Sequence, residues 1–145
     1  MFTDCDVLFL EDVNELFKLA DEKYAVMVVK HDHKPTEAFK MDGQIQTSYP
    51  RKNWSSVVLW NCSHPANTEL TIDKLNTWPG RDLHAFKWLP DEFIGELPSE
   101  WNHLVGVSER VESPKIAHYT LGGPWIRGIQ DNFWDKLWLK EFLGE

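Results

Sequence analysis

The chain has 145 residues, and its 15 Lys and Arg against 23 Asp and Glu give a formal net charge of −8. The length suits one domain, and an apolar fraction of 42% is typical of a globular protein. The acidic balance argues against a nucleic-acid binder, and no apolar run reaches the roughly 20 residues of a membrane span. Two cysteines are too few for a disulfide framework, and no cationic secretory segment is present, so we expect a cytoplasmic protein.

The first half of the chain predicts short strands and one capped helix. A strand is expected at Phe2-Thr3, and Asp12 is expected to begin a helix through a capping box with Glu15. The apolar run 24–29 is rich in β-branched residues and predicts a strand buried on both faces. The polar residues 30–50 predict a long excursion, and 55–61 predict a second strand.

The second half predicts helices, a further strand and an amphipathic terminus. Helices are expected around 72–78 and over 82–86, and strands near 93–94 and over 115–120. Apolar residues recur on one stripe of 129–143, which predicts a helix packed over the sheet, or alternatively a partner-binding helix. No linker or repeat interrupts the chain, so we expect a single α/β domain over 1–145, with a mixed sheet and flanking helices.

Two carboxylates near the start, Asp4 and Asp6, are the first chemical signal. In an extended chain residues two apart point to the same side, so both side chains can face one ligand. Carboxylate oxygens suit Mg²⁺ or Mn²⁺, and Mg²⁺ is usually held by one or two carboxylates together with substrate phosphates. The alternative is a solvated acidic turn.

A histidine far along the chain strengthens the metal interpretation. His118 ends a predicted strand and precedes Gly122 and Gly123. A neutral imidazole can complete a divalent site and shifts the preference toward Mn²⁺. The two glycines would let backbone N–H groups approach a phosphate closely. The alternative for His118 is an ordinary structural histidine.

Three segments, in this order, resemble nucleotide-sugar glycosyltransferases of the GT-A fold, and glycosyltransferase family 8 in particular. Residues 4–17 (DCDVLFLEDVNELF) resemble the D-x-D segment, and residues 53–61 (NWSSVVLWN) resemble the strand that follows it in the family. Residues 118–125 (HYTLGGPW) resemble the family's H-x-x-G-x-x-K-P-W element. The resemblance implies the C-terminal part of a GT-A fold.

The resemblance also implies a role for each matching residue. Asp4, Asp6 and His118 would hold Mn²⁺, or Mg²⁺, against the diphosphate of a nucleotide sugar. Asn53 with Ser55 or Ser56 would line the donor-sugar side. Asp91 or Glu92 would be the catalytic acidic residue near the transferred sugar, where a carboxylate can stabilise oxocarbenium-like charge.

Two departures from the family pattern carry expectations of their own. The lysine before Pro-Trp is absent, since Gly123 precedes Pro124, so phosphate binding would depend on backbone N–H groups or on Arg127. The chain also starts at the D-x-D segment, so the resemblance implies that it lacks the N-terminal nucleotide-binding half. An open apolar sheet edge would then favour a homo-oligomer.

Three functional hypotheses follow. The first is a metal-dependent glycosyltransferase, or its C-terminal half, with a nucleotide sugar as donor and a carbohydrate or other acceptor. The second is a non-catalytic carbohydrate- or partner-binding module, and the third is a small metal-dependent hydrolase or nucleotidyl enzyme. Cys5 and Cys62 have no neighbouring histidine that would suggest a nucleophile, so both are expected to be buried apolar residues. His31-Asp32-His33 is expected to be a solvated loop.

Overall fold

The computed structural model describes residues 1–32, 50–109 and 112–144. Residues 33–49 lie outside the described residues, and with them most of the predicted excursion over 30–50 and His33 of the predicted loop. The strands are β1 (Phe2–Thr3), β2 (Val7–Phe9), β3 (Val26–Val28), β4 (Val57–Trp60), β5 (Ile94–Glu96), β6 (His103–Leu104) and β7 (Ile116–His118). The α-helices are α1 (Val13–Phe17), α2 (Ile72–Thr77), α3 (Gly80–His84), α4 (Pro124–Arg127) and α5 (Phe133–Leu143). The 3₁₀ turns are Trp54–Ser56, Pro65–Glu69, Asp91–Phe93 and Ser99–Asn102.

The strands form two mixed sheets, which confirms the predicted mixed sheet with flanking helices. The first sheet has the order β1-β4-β3-β5, with β4 antiparallel to β1 and β3, and β5 parallel to β3. Strands β1, β3 and β5 therefore run in the same direction, and their carboxyl ends lie at one edge of the sheet. We call this end of the sheet, which is formed by strand ends and not by an edge strand, the carboxyl edge. In open α/β sheets, ligands bind at such an edge.

The first sheet is buried on both faces, as the apolar run 24–29 predicts. Val26 and Val28 contact one apolar cluster together with Val58, whereas Met27 and Val29 contact a second cluster. Successive strand residues point to opposite faces, so two apolar layers require the uninterrupted apolar run found here. The second cluster includes Ile116 of β7, so it joins the first sheet to the second.

The second sheet connects the start of the chain to its later part. It has the order β2-β7-β6, with β2 antiparallel and β6 parallel to β7. His118 pairs in register with Val7 on one side and Leu104 on the other. The last residue of β7 is therefore fixed beside the segment that carries the two carboxylates.

The helices begin close to the predicted residues, with different caps. Asp12 begins α1 by accepting from Asn14 N at 2.9 Å, whereas Glu15 binds Lys18 and does not complete the predicted capping box. Helix α5 begins four residues after the predicted 129, because Asn132 accepts from Asp135 N at 2.9 Å and forms its N-cap. The helix packs against the second sheet, where the Trp134 ring stacks on His103 at 5.0 Å between centroids.

Two expectations from the sequence are wrong in detail. Cys5 and Cys62 are exposed and not buried, because each lies in an irregular segment outside the strands. The strand predicted over 55–61 begins at Val57, since Ser55 and Ser56 belong to the 3₁₀ turn before it. Within the described ranges, no helix combines the length and apolar character needed to cross a membrane.

Candidate metal centre

The two carboxylates lie where the backbone passes from the first sheet to the second. Asp4 follows β1, and its N–H donates to Ser56 O at 2.9 Å. Asp6 precedes β2, and its carbonyl accepts from Tyr119 N at 2.9 Å. Ser56 immediately precedes β4 of the first sheet and Tyr119 immediately follows β7 of the second, so each end of the D-x-D segment is held beside a different sheet, which limits the positions that the carboxylates can adopt.

The structure brings His118 to these carboxylates. One ligand atom from each of Asp4, Asp6 and His118 can be chosen so that all three lie within 4.8 Å of one another. His118 Nε2 lies 3.4 Å from Asp6 Oδ1, and the imidazole is almost completely buried while the Asp6 side chain is about one-third exposed. The cluster joins residues more than one hundred positions apart, through the pairing of β2 with β7.

Asn102 determines which nitrogen of His118 faces the carboxylates. Its Nδ2 donates to Ser56 Oγ at 2.8 Å and to Asn53 O at 3.3 Å. A backbone carbonyl only accepts, so the amide nitrogen must point toward Asn53 and the amide oxygen toward His118. That oxygen lies 3.0 Å from His118 Nδ1, which therefore carries a proton.

The lone pair of a neutral His118 then lies on Nε2, directed at Asp6. Two acceptors at 3.4 Å need either a proton or a cation between them. Hydrogen bonding of the other ring nitrogen is the arrangement that holds a metal-ligating histidine in place. Two hard carboxylates and one imidazole nitrogen are a donor set suited to Mn²⁺ or Mg²⁺. The residues present therefore fit a divalent cation.

The predicted donor-sugar residues separate into two groups. Asn53 and Ser56 belong to the network that holds Asn102, and the Ser56 hydroxyl donates to Asn53 O at 2.7 Å. Asn53 adopts a left-handed backbone conformation, with φ of 64°, where asparagine is tolerated. Ser55 instead lies 2.8 Å from His84 Nδ1 and lines an apolar cavity of about 220 Å³ with Phe2 and Val58.

The structure does not bring Asp91 and Glu92 to the cluster. Both lie in the 3₁₀ turn before the amino end of β5, and Asp4 follows the carboxyl end of β1. Since β1 and β5 run in the same direction, these residues lie at opposite edges of the first sheet. Asp91 is largely exposed and forms an ion pair with Arg51. The pattern 91–96 shows two acidic positions before the strand, but only strand direction shows which end of the strand meets the cluster.

Different carboxylates lie at the carboxyl edge. A cavity of about 540 Å³ opens there, beside the ends of β3 and β5. Its lining includes Lys30, Asp32 and Glu96, together with Leu104, the register partner of His118. Sequence reasoning did not select these residues, although Glu96 could have been found from its place at the end of a strand parallel to β3.

The structure gives Gly122, Gly123 and Arg127 structural roles. Gly122 has φ of 96°, a conformation that favours glycine. A Cβ at Gly123 would overlap the Trp125 indole, so this glycine makes room for that ring. Arg127 donates two bonds of 2.6 Å to Asp135, whose carboxylate is fully buried. These hydrogen bonds lower the pKa of the Asp135 carboxyl, and Arg127 is committed to that partner.

The fold and this cluster define a mixed α/β protein with a candidate divalent-cation centre. Its sequence is similar to that of a curated Arabidopsis thaliana protein, Protein CDI, with 52% identity over 146 residues. The alignment covers 97% of this chain and 56% of the relative, so the chain spans little more than half of that protein's length. The relative's name states no activity. No family model and no solved structure matches the chain.

Proposed function

We propose that this chain provides the metal-binding and catalytic part of a metal-dependent glycosyltransferase that uses a nucleotide-diphosphate sugar. The observation that carries the proposal is the convergence of Asp4, Asp6 and His118, with Asn102 holding His118 in the tautomer that a metal ligand needs. The resemblance of 4–17, 53–61 and 118–125 to the D-x-D, strand and histidine segments of glycosyltransferase family 8 supports the same function.

In this proposal Asp4, Asp6 and His118 hold Mn²⁺, or Mg²⁺, beside the diphosphate. A divalent ion there supplies Lewis-acid stabilisation of the leaving diphosphate, so the reaction needs no strong general acid. The acceptor hydroxyl oxygen bonds to the anomeric carbon, the bond from that carbon to the diphosphate oxygen breaks, and the hydroxyl proton leaves with the diphosphate.

The cavity at the carboxyl edge is the proposed location of the transferred sugar. Its volume of about 540 Å³ lies within the range of roughly 300–1,000 Å³ that small-molecule sites occupy. Glu96 lines this cavity, whereas Asp91 and Glu92 lie at the opposite edge of the sheet. Glu96 is therefore the carboxylate that we assign to stabilising positive charge on the sugar.

The homo-oligomer stays a prediction. Two features support it: β1 is an edge strand of the described sheet, and half of the Phe2 side chain is exposed. An exposed strand edge next to apolar side chains favours association between chains.

The proposed function is tested by Mn²⁺ binding to the chain, followed by the electron paramagnetic resonance signal of free Mn²⁺. Asp6→Asn and His118→Gln each remove one ligand, and we expect each to weaken binding about tenfold or more. Asp131→Asn is the matched control, because this carboxylate is exposed and pairs only with Lys136 among the described residues. Uridine diphosphate is then added, and it should tighten Mn²⁺ binding to the wild-type chain.

The outcomes test the two hypotheses that require a metal. Wild-type and Asp6→Asn chains with equal Mn²⁺ affinity would refute the metal centre. Cleavage of the diphosphate bond without any acceptor would favour a hydrolase or nucleotidyl enzyme. Where sugar transfer is measured, Glu96→Gln should lower its rate more than Asp91→Asn does.

A further inference from the structure

A further cavity lies beside Asp6. Its volume is about 230 Å³, and its lining residues are Cys5, Asp6, Val7, Tyr119, Trp125 and Trp138. This is below the roughly 300–1,000 Å³ of sites for drug-sized molecules, so it suits a single small ring. We call it the aromatic pocket.

Three of its six lining residues are aromatic. The Trp125 ring meets Tyr119 edge-on, at 5.5 Å and 67°, and it meets Trp138 at 5.6 Å and 43°. Trp138 is in turn stacked on Phe142 at 5.0 Å. The mutual tilt of these rings makes a corner and not a parallel slot.

Trp125 is held in this position although 46% of its surface is exposed. Gly123 leaves space for the indole, and Pro124 begins the short helix α4 that carries it. Tyr119 is fixed as well, since its hydroxyl donates to Trp134 O at 2.8 Å and burial raises its pKa to about 12. A half-exposed tryptophan with fixed neighbours is a preformed apolar contact surface.

The lining includes one carboxylate, a group that accepts hydrogen bonds from hydroxyls. Asp6 contributes this carboxylate, which accepts hydrogen bonds and, without a bound cation, repels phosphate. A pyranose ring has apolar C–H faces that stack on indole and hydroxyls that donate to a carboxylate. A nucleotide carries phosphates as well as a base, and without a cation these phosphates would meet the negative charge of Asp6.

We infer that the aromatic pocket binds a pyranose ring of the acceptor, stacked on Trp125 with its hydroxyls directed at Asp6. The role as acceptor site rests on the proposed function, because it places the sugar next to the carboxylate that would hold the cation. The binding of the sugar itself rests only on the pocket and requires no metal.

Two exposed cysteines allow a test on the unmodified chain. Cys5 lines the pocket and Cys62 does not, and both are exposed to a thiol reagent. The chain is treated with N-ethylmaleimide in the presence of EDTA, and the labelling rate of each cysteine is followed by mass spectrometry. The probes are methyl β-D-glucopyranoside, methyl α-D-galactopyranoside and methyl α-D-mannopyranoside.

We expect at least one of these glycosides to slow labelling of Cys5 while Cys62 reacts at an unchanged rate. A sugar at ten times its dissociation constant leaves roughly one site in eleven open, so Cys5 labelling should slow about tenfold. No protection of Cys5 by any of the three, up to the highest soluble concentration, overturns the inference. Equal protection by cyclohexanol also overturns it, because an apolar ring without vicinal hydroxyls would then suffice.

Variants of the aromatic wall distinguish stacking from a general effect on the fold. Trp125→Leu should abolish the protection, Trp125→Phe should retain it, and Phe133→Leu is the control, since Phe133 is exposed and does not line the pocket. Stronger protection by uridine monophosphate than by any glycoside overturns the assignment to a sugar. Protection that increases with protein concentration in the absence of sugar assigns the pocket to a second copy of the chain and also overturns it.

Failure of this inference and failure of the proposed function are distinguishable. Sugar protection in EDTA together with no Mn²⁺ binding would leave a sugar-binding pocket without a metal centre. Mn²⁺ binding that depends on Asp6, together with no sugar protection, would retain the metal centre and remove the pocket.

Discussion

The two sheets of this molecule differ in what they bury. In the first sheet the buried strand residues are apolar, among them Val26, Val28 and Ile94. In the second sheet β6 and β7 bury His103 and His118, and Asn102 immediately before β6 is also fully buried. Burial of polar groups costs free energy unless they are hydrogen-bonded, and such networks fix a particular arrangement of side chains.

This difference assigns separate tasks to the two regions. The first sheet lies between two apolar layers and provides the carboxyl edge. In the second sheet His118 is buried, and Asn102, just before β6, holds it in one orientation. Asp4 and Asp6 lie at the junction, so the candidate site depends on both regions, but the two should respond differently to mutation.

The largest expected effect on stability lies in the first sheet. Phe86 is 1% exposed and packs against Trp60 and Trp88 over one face of that sheet. Phe86→Ala should lower the free energy of unfolding by about 3–5 kcal/mol, because it removes a large buried ring and leaves a cavity. Urea denaturation measures this effect. Phe17→Ala, at a half-exposed ring on α1, is the control and should cost far less. A Phe86 variant with unchanged stability would contradict the assignment of tasks.

The second expected effect separates site geometry from stability. Asn102→Ala removes the amide that holds His118 Nδ1, and loss of the hydrogen bond that orients a metal-ligating histidine weakens metal binding about 10–100-fold. Asn67→Ala is the matched control, because Asn67 Nδ2 also donates two hydrogen bonds, in its case to Ala25 O and Asn61 O beside the first sheet. Mn²⁺ titration should show a loss in the first variant only, although both variants lose hydrogen bonds. Equal Mn²⁺ affinity in the two variants would mean that Asn102 has only a structural role.

The parts of the fold that depend on the apolar pattern could be predicted from the sequence. The run 24–29 predicts a strand covered on both sides, and the structure confirms it at Val26–Val28. Asp4, Asp6 and His118 were selected by chemical type and by resemblance, and the structure brings them together. The start of α5 was missed, because the apolar stripe extends back to Ile129 while the N-cap is Asn132.

The rest of the site depends on contacts that no spacing reveals. Asn102 lies next to Trp101 in the sequence, and its role follows from its contacts with His118, Ser56 and Asn53. Glu96 and Asp91 are five positions apart in an acidic stretch. Only the parallel pairing of β3 with β5 shows that Glu96 meets the carboxyl edge and Asp91 does not.

The smallest expected effect is a pH dependence that originates in the second sheet. His103 stacks on Trp134, its Nδ1 has no hydrogen-bond partner among the described residues, and burial lowers its pKa from the ordinary 6.5. Below pH 6.5 the unfolded chain binds this proton more readily than the folded chain does. The stabilisation from a neutral His103 is therefore complete above pH 6.5 and is lost as the pH falls.

His103→Phe keeps a stacking ring without a titrating group, so the unfolding free energy of this variant should depend less on pH. The difference in slope is at most about 1.4 kcal/mol per pH unit, the value for one proton. Urea denaturation of both chains between pH 7.5 and 5 measures it, and parallel profiles would show that His103 does not contribute.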